Sequence, residues 1–197
     1  KKRIGNTAKW KMGRHDLDFR QNGFHNDHLR KAYKNDLGIV LLNLPGFAGI
    51  LSHFVQPGKG FQSEIEDRVK VIACIERPNL ISSEDLNNEL DPRDLDKARE
   101  LLNAEVNDVQ LFIWGPAEDI PTAVETVEER CRMAFEGVPN ETRKSLPDGG
   151  TIFERVLPGA DRMYPDTDSA PIPLEDSYIE DLRKSLPVRI EDRYKQF

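Results

Sequence analysis

Cysteine is scarce in this 197-residue chain: the two present, Cys74 and Cys131, lie far apart. That excludes a disulfide scaffold and a thiolate zinc site, and it suits a reducing compartment. No apolar run approaches the ~20 residues that span a bilayer. No charged-then-apolar leader opens the chain, so a soluble, cytoplasmic protein is expected. Gly-x-Ser-x-Gly and His-Glu-x-x-His are absent, as are internal repeats and any period-three glycine, which removes several hydrolase, zinc-protease and fibrous readings. Aliphatics are few over residues 1–36, where no helical or strand period is sustained.

What is present is charge, and it is unevenly placed. The formal net charge is −7. Residues 1–36 carry ten Lys or Arg against four acids, a balance of +6, while the remainder carries 18 bases and 31 acids, −13. The first stretch therefore reads as a basic arm, or as loops leaning on protein outside it. Lys1, Lys2, Arg3, Lys9, Lys11 and Arg14, with Trp10 between bases, suit an RNA footprint, although a charge run is usually solvated. His15, His25 and His28 lie near Asp16, Asp18 and Asp27, but their spacing is a common accident in a polar segment. The first residue is Lys1 rather than Met, and a piece of a longer protein is expected.

Residues 38–137 carry clearer patterns. Ile39 to Leu42 is a short branched run expected as a buried strand, closed by Pro45-Gly46. Ser63 is read as the cap of a helix start, and Val69 to Ile75 as a strand or a helix-to-strand passage. Asp91-Pro92 opens a helix whose apolar face runs Leu95, Ala98, Leu101, Leu102 and Val106. Val109 to Trp114 is a strand. Ile120, Val124, Val127, Cys131 and Ala134 then mark an amphipathic helix, with Gly137 at its C-cap. The expectation is an α+β fold built as a small sheet with helices packed on it. Seven of the thirteen prolines fall between Pro139 and Pro187. In that region Thr151 to Val156 reads as a strand and residues 175–186 as a short amphipathic helix. The residues after Pro187 begin another helix.

Leu44-Pro45-Gly46-Phe47-Ala48-Gly49, Gly137-Val138-Pro139-Asn140-Glu141-Thr142-Arg143 and Leu146-Pro147-Asp148-Gly149 occur in that order. Pro158-Gly159-Ala160-Asp161-Arg162-Met163-Tyr164-Pro165-Asp166-Thr167-Asp168 comes after them. Together they resemble the E subunit of the archaeal-type glutamyl-tRNA(Gln) amidotransferases, which is related to the bacterial B subunit, over about residues 37–197. The resemblance implies a GAD-type insert domain over residues 37–137, then a β-rich return to a cradle-shaped catalytic domain over 138–174. Residues 175–197 would enter a helical domain. It also implies conversion of Glu-tRNA(Gln) to Gln-tRNA(Gln): ATP phosphorylates the γ-carboxylate, and ammonia from an amidase or asparaginase-like partner subunit displaces phosphate. ATP and Mg are thus cofactors of the parent enzyme, and tRNA(Gln) is a partner, with no membrane or DNA. The family's principal metal ligands lie in the amino-terminal half of the cradle, so no catalytic residue is assigned here and the fragment alone is expected to be inactive.

Arg155, Arg162 and Tyr164 are the candidate contacts to tRNA or phosphate, since guanidinium matches phosphate oxygens and tyrosine stacks on bases. Asp166 and Asp168, with Asp161, are weak candidates for a hydrated magnesium ion. The competing reading is a proline-rich loop whose aspartates cap turns. Pro57-Gly58-Lys59-Gly60 lacks the phosphate-loop frame and is expected to be a turn. Cys131 is expected to be a buried thiol, and His53 a surface residue. The alternative function is a non-catalytic tRNA- or partner-binding GAD module, as inserted in bacterial-type aspartyl-tRNA synthetases.

Overall fold

The computed structural model describes residues 9–85, 90–157 and 173–195. Two compact units separate at Leu157 and Pro158. The first contains, in chain order, β1 (Gly13–Asp16), α1 (Phe19–Asn22), α2 (Asp27–Lys34), β2 (Gly38–Leu44), β3 (Phe54–Gln56) and β4 (Lys59–Gly60). It continues with α3 (Phe61–Ile72), β5 (Leu80–Ser82), α4 (Pro92–Leu102), β6 (Val109–Gly115), α5 (Ile120–Glu136), β7 (Glu141–Ser145) and β8 (Thr151–Val156). The second unit holds α6 (Asp176–Ser185) and α7 (Ile190–Tyr194), neither of which buries a residue. The fold is α+β.

Four strands form an antiparallel sheet in the order β1-β2-β6-β5. β2 and β6 sit at its centre, and nearly every residue in them is buried. Such continuous burial means that both faces are covered, which is why these strands read as unbroken apolar runs. Val40, Leu42, Leu44, Leu111 and Ile113 pack beneath α3 and α5. Ile39, Leu41, Phe112 and Trp114 face α2 and α4. Register agrees with this division, pairing Val40 with Ile113 and Leu41 with Phe112. A one-residue slip would exchange the two faces.

The basic first stretch contributes directly to this core. β1 pairs with β2, and Leu29 and Ala32 of α2 are buried on the sheet. Trp10 is 7% exposed, lies 5.6 Å from Phe47 and 5.8 Å from Phe135, and donates its indole N–H to the Pro45 carbonyl. Aromatic side chains bury large areas each, so a few of them anchor a segment poor in aliphatics.

Three local expectations are corrected. α3 starts after Gly60, not at Ser63, and runs through Ile72, so no strand forms over Val69 to Ile75. The burial of Phe61, Ile65 and Val69 follows helical spacing and overrides the apparent alternation, leaving Val71 exposed. α4 stops at Leu102 because Asn103 adopts a left-handed conformation and donates its N–H to the Glu100 carbonyl. Val106 consequently lies outside the helix and is 94% exposed. Gly137 ends α5, its N–H bonding the Met133 carbonyl at a φ of 139° that side-chain-bearing residues avoid.

Candidate functional site

The β7–β8 hairpin carries Arg155, the only described member of the predicted set Arg155, Arg162 and Tyr164, and buried ion pairs hold that hairpin in place. Helices α3 and α5 present Glu64, Arg68 and Arg130 from faces that are otherwise apolar. The hairpin supplies Glu141 and Arg143. Arg68 is ion-paired with Glu141, which also pairs with Arg143. Arg130 Nε donates to Glu64 Oε1 at 2.7 Å, and Arg143 stands 3.9 Å from the same carboxylate. The side chains of Arg68 and Glu141 are 1% and 2% exposed, so that pair is screened from water, while Arg143 is partly exposed.

Packing and neutral hydrogen bonds hold the same junction. Arg68 lies over the Phe153 ring at 4.4 Å, and Arg130 over Phe61 at 4.6 Å, as expected of planar cations on aromatic faces. Gln56 of β3 binds the hairpin's backbone twice, accepting from Thr151 N at 2.8 Å and donating to the Thr151 carbonyl at 2.6 Å. Arg143 Nε donates to Thr151 Oγ1 at 2.8 Å. The hairpin is thereby fixed to α3 and α5 by groups whose loss leaves charges buried and unpaired.

On this support Arg155, opposite Thr142 in the ladder, is exposed, and its guanidinium has no ion-pair or hydrogen-bond partner among the described residues. Lys144 is exposed on the neighbouring strand and is likewise unpaired among them. Two unengaged cations on a fixed hairpin suit contact with an anionic partner. Arg162, Tyr164, Asp161, Asp166 and Asp168 lie outside the described residues, as do Lys1, Lys2 and Arg3. Arg14 is paired with Asp16 at 2.7 Å. Trp10 faces the core and is not presented for stacking.

His25, His28 and Lys59 have structural partners. His25 Nδ1 lies 3.0 Å from Asp94 Oδ1, and the same carboxylate accepts the backbone N–H groups of His25 and Asn26. His28 stacks on Trp114 with ring centres 5.4 Å apart. No group of three or more His, Cys, Asp or Glu placed to hold a metal ion occurs among the described residues. Lys59, in the β3–β4 hairpin, is ion-paired with Asp67. The turn at Gly46 is tied down by Asp108, which accepts from Gly46 N at 3.1 Å and from Asn43 Nδ2 at 2.8 Å. Cys131 is fully buried, and desolvation pushes its thiol up to about 12, far from a nucleophile's range. His53 is exposed.

Glu64, Arg68, Arg130 and Arg143 were not singled out from the sequence, yet a signal existed. Arg68 falls between Ile65 and Val69, and Arg130 beside Cys131, on the inward faces of their helices. A charge in an apolar stripe implies a buried partner.

No protein-family model matches the chain. Among curated proteins, the E subunit of glutamyl-tRNA(Gln) amidotransferase from Methanocaldococcus jannaschii is 39% identical over 171 residues, covering 86% of this chain and 27% of that protein. The corresponding E subunits of Sulfurisphaera tokodaii and Pyrococcus abyssi are each 34% identical, over 85% and 81% of this chain and 27% and 25% of their own lengths. The chain thus spans about a quarter of the length of these relatives. With a third or more of its residues identical over more than four-fifths of its length, the chain belongs to the family of archaeal-type glutamyl-tRNA(Gln) amidotransferase E subunits.

Proposed function

We propose that this chain is a region of a tRNA-dependent amidotransferase subunit that converts Glu-tRNA(Gln) to Gln-tRNA(Gln). The observation that carries the reading is identity to an amidotransferase E subunit over 86% of the chain. A carboxylate is a poor acyl donor, so the parent reaction phosphorylates the γ-carboxylate with ATP before ammonia displaces phosphate. An amidase or asparaginase-like partner, using glutamine or asparagine, would supply that ammonia. The enzyme is a carbon–nitrogen ligase in this reading.

Within it, residues 37–137 are the GAD-type insert, 138–174 the return to the cradle and 175–197 the entrance to a helical domain. A small sheet covered by helices on both faces supports an insert domain, and that sheet also takes in β1 and packs against α2, both of which precede residue 37. Among the described residues no group of three or more potential metal ligands gathers, and Lys59 is paired with Asp67, so the reading places ATP and Mg in the parent enzyme outside them. No step of the reaction is assigned to them, and the region alone is inactive. Its part is to present Arg155, with Arg162 and Tyr164, to tRNA, leaving Asp166 and Asp168 as weak metal candidates.

The test is amidation of Glu-tRNA(Gln) by the full-length subunit with its partner. Arg155→Ala is expected to weaken tRNA binding by about threefold to tenfold and to flatten its salt dependence, as loss of one phosphate contact does. Unchanged affinity and amidation would remove Arg155 from the interface. ATP-dependent amidation by the 197 residues alone would overturn the inactive-region reading. No amidation by the full-length complex would overturn the function itself.

A further inference from the structure

A cleft of 590 Å³ opens between the β3–β4 hairpin, the end of α5 and the start of β7. Its lining combines two unlike sets of groups. Phe54, Val55 and Val138 are apolar and exposed, Val138 by 94%. Glu64, Arg130 and Arg143 line the same space. Exposed apolar side chains gathered around one concavity are unfavourable in water unless something covers them. The volume lies in the roughly 300–1,000 Å³ range of small-molecule sites.

Charge defines what would cover them. Arg68, Arg130 and Arg143 face only Glu64 and Glu141 among the described residues, which leaves one positive charge in excess. Arg130 Nη1 is buried without a hydrogen-bond partner among those residues. Arg143 Nη2 makes only a long contact, 3.4 Å, to the Thr151 carbonyl. A guanidinium cannot relieve this by releasing its proton, so the compensating group is an anion. One surplus charge matches a carboxylate, whereas a phosphate monoester brings nearly two negative charges and no affinity for apolar walls.

We propose that this cleft binds a small monocarboxylate with an apolar body, its carboxylate on Arg143, beside the buried Arg130, and its body against Phe54 and Val55 with Val138 at the rim. The site is independent of the amidotransferase reading, because it rests on the cleft's own geometry and charge.

The experiment is a titration of the 197-residue chain with 3-phenylpropionate, followed by NMR of the arginine Nε–H and backbone amide signals. Saturable shifts at Arg130, Arg143, Phe54, Val55 and Val138 are expected, with a Kd of about 1 mM or tighter. The uncharged 3-phenylpropionamide and inorganic phosphate should each bind at least about tenfold more weakly. Arg143→Gln is expected to weaken the acid by about tenfold. Val138→Asp changes a fully solvated position, leaves the fold intact, and should weaken the acid by about threefold or more through like-charge repulsion. Absence of shifts at these residues up to about 20 mM overturns the proposal, being outside any useful affinity. So does equal binding of the amide or of phosphate, or unchanged affinity in Val138→Asp.

Discussion

Replacing Glu141 with glutamine removes one of two carboxylates that face three guanidiniums, leaving a single acid to balance Arg68, Arg130 and Arg143. Arg68 is 1% exposed at its side chain, so water cannot replace the lost partner. Breaking one half of a buried pair in this way costs about 3–5 kcal/mol, because the remaining charge stays desolvated. Arg68→Met acts in the opposite direction. It leaves two bases facing two acids and fills similar volume with an apolar chain, so it should cost less than about 2 kcal/mol, mostly the lost stacking on Phe153. For a folded unit of roughly 150 residues, 1 kcal/mol moves the midpoint by about 2–4 °C, so Glu141→Gln should lower Tm by about 6–20 °C. Thermal and urea unfolding of the 197-residue chain measure both variants. Hydrogen exchange over residues 141–156 shows whether the loss begins at the hairpin. A Glu141→Gln variant within about 1 kcal/mol of the parent, the range of an exposed pair, would refute the buried-cluster reasoning. An Arg68→Met variant less stable than Glu141→Gln would do the same.

Trp10→Ala is expected to cost about 3–5 kcal/mol, as large-to-small changes at buried aromatics do, and urea unfolding checks it. Ellman's reagent should titrate the exposed Cys74 in the native chain and reach the buried Cys131 only in denaturant; rapid native reaction of both would contradict the core placement. Burial raises the Glu66 carboxyl above its ordinary range, against the opposing Gln62 hydrogen bond and Arg77 charge. The folded state therefore holds that proton more tightly than the unfolded chain, and ionising Glu66 withdraws stability as pH rises from the unfolded value through the folded one. Glu66→Gln should gain on the parent as pH climbs from about 4 toward neutrality, starting near the ordinary glutamate pKa, and then level off. A constant or shrinking gap in urea titrations across that range would show the carboxylate to be adequately solvated.

Several elements were legible because their signal is local. β2 and β6 appear as branched apolar runs since both of their faces are buried. α5 appears through a period near 3.6, and β8 and α6 through short patterns between prolines. β1 and β5 were not read, because edge strands of four and three residues carry too little pattern to stand apart from loops. α2 was hidden in a basic stretch whose mean polarity masks the single buried face carrying Leu29 and Ala32. Arg155 was legible as a candidate, but its unpaired state depends on neighbours that only folding brings together.

The sequence by itself determined the class of fold, the central strands and long helix, and membership of the family, since each depends on residue types at short spacing or on ordered motifs. Tertiary structure decided that residues 9–36 join the sheet and that Arg68 and Arg130 lie inside. It also decided that three guanidiniums meet two carboxylates, with Arg68–Glu141 and Arg130–Glu64 each more than sixty residues apart in the chain. Charge balance of that kind is a property of distance in space. No periodicity along the chain encodes it, although it governs both how the hairpin is held and what the neighbouring cleft would accept.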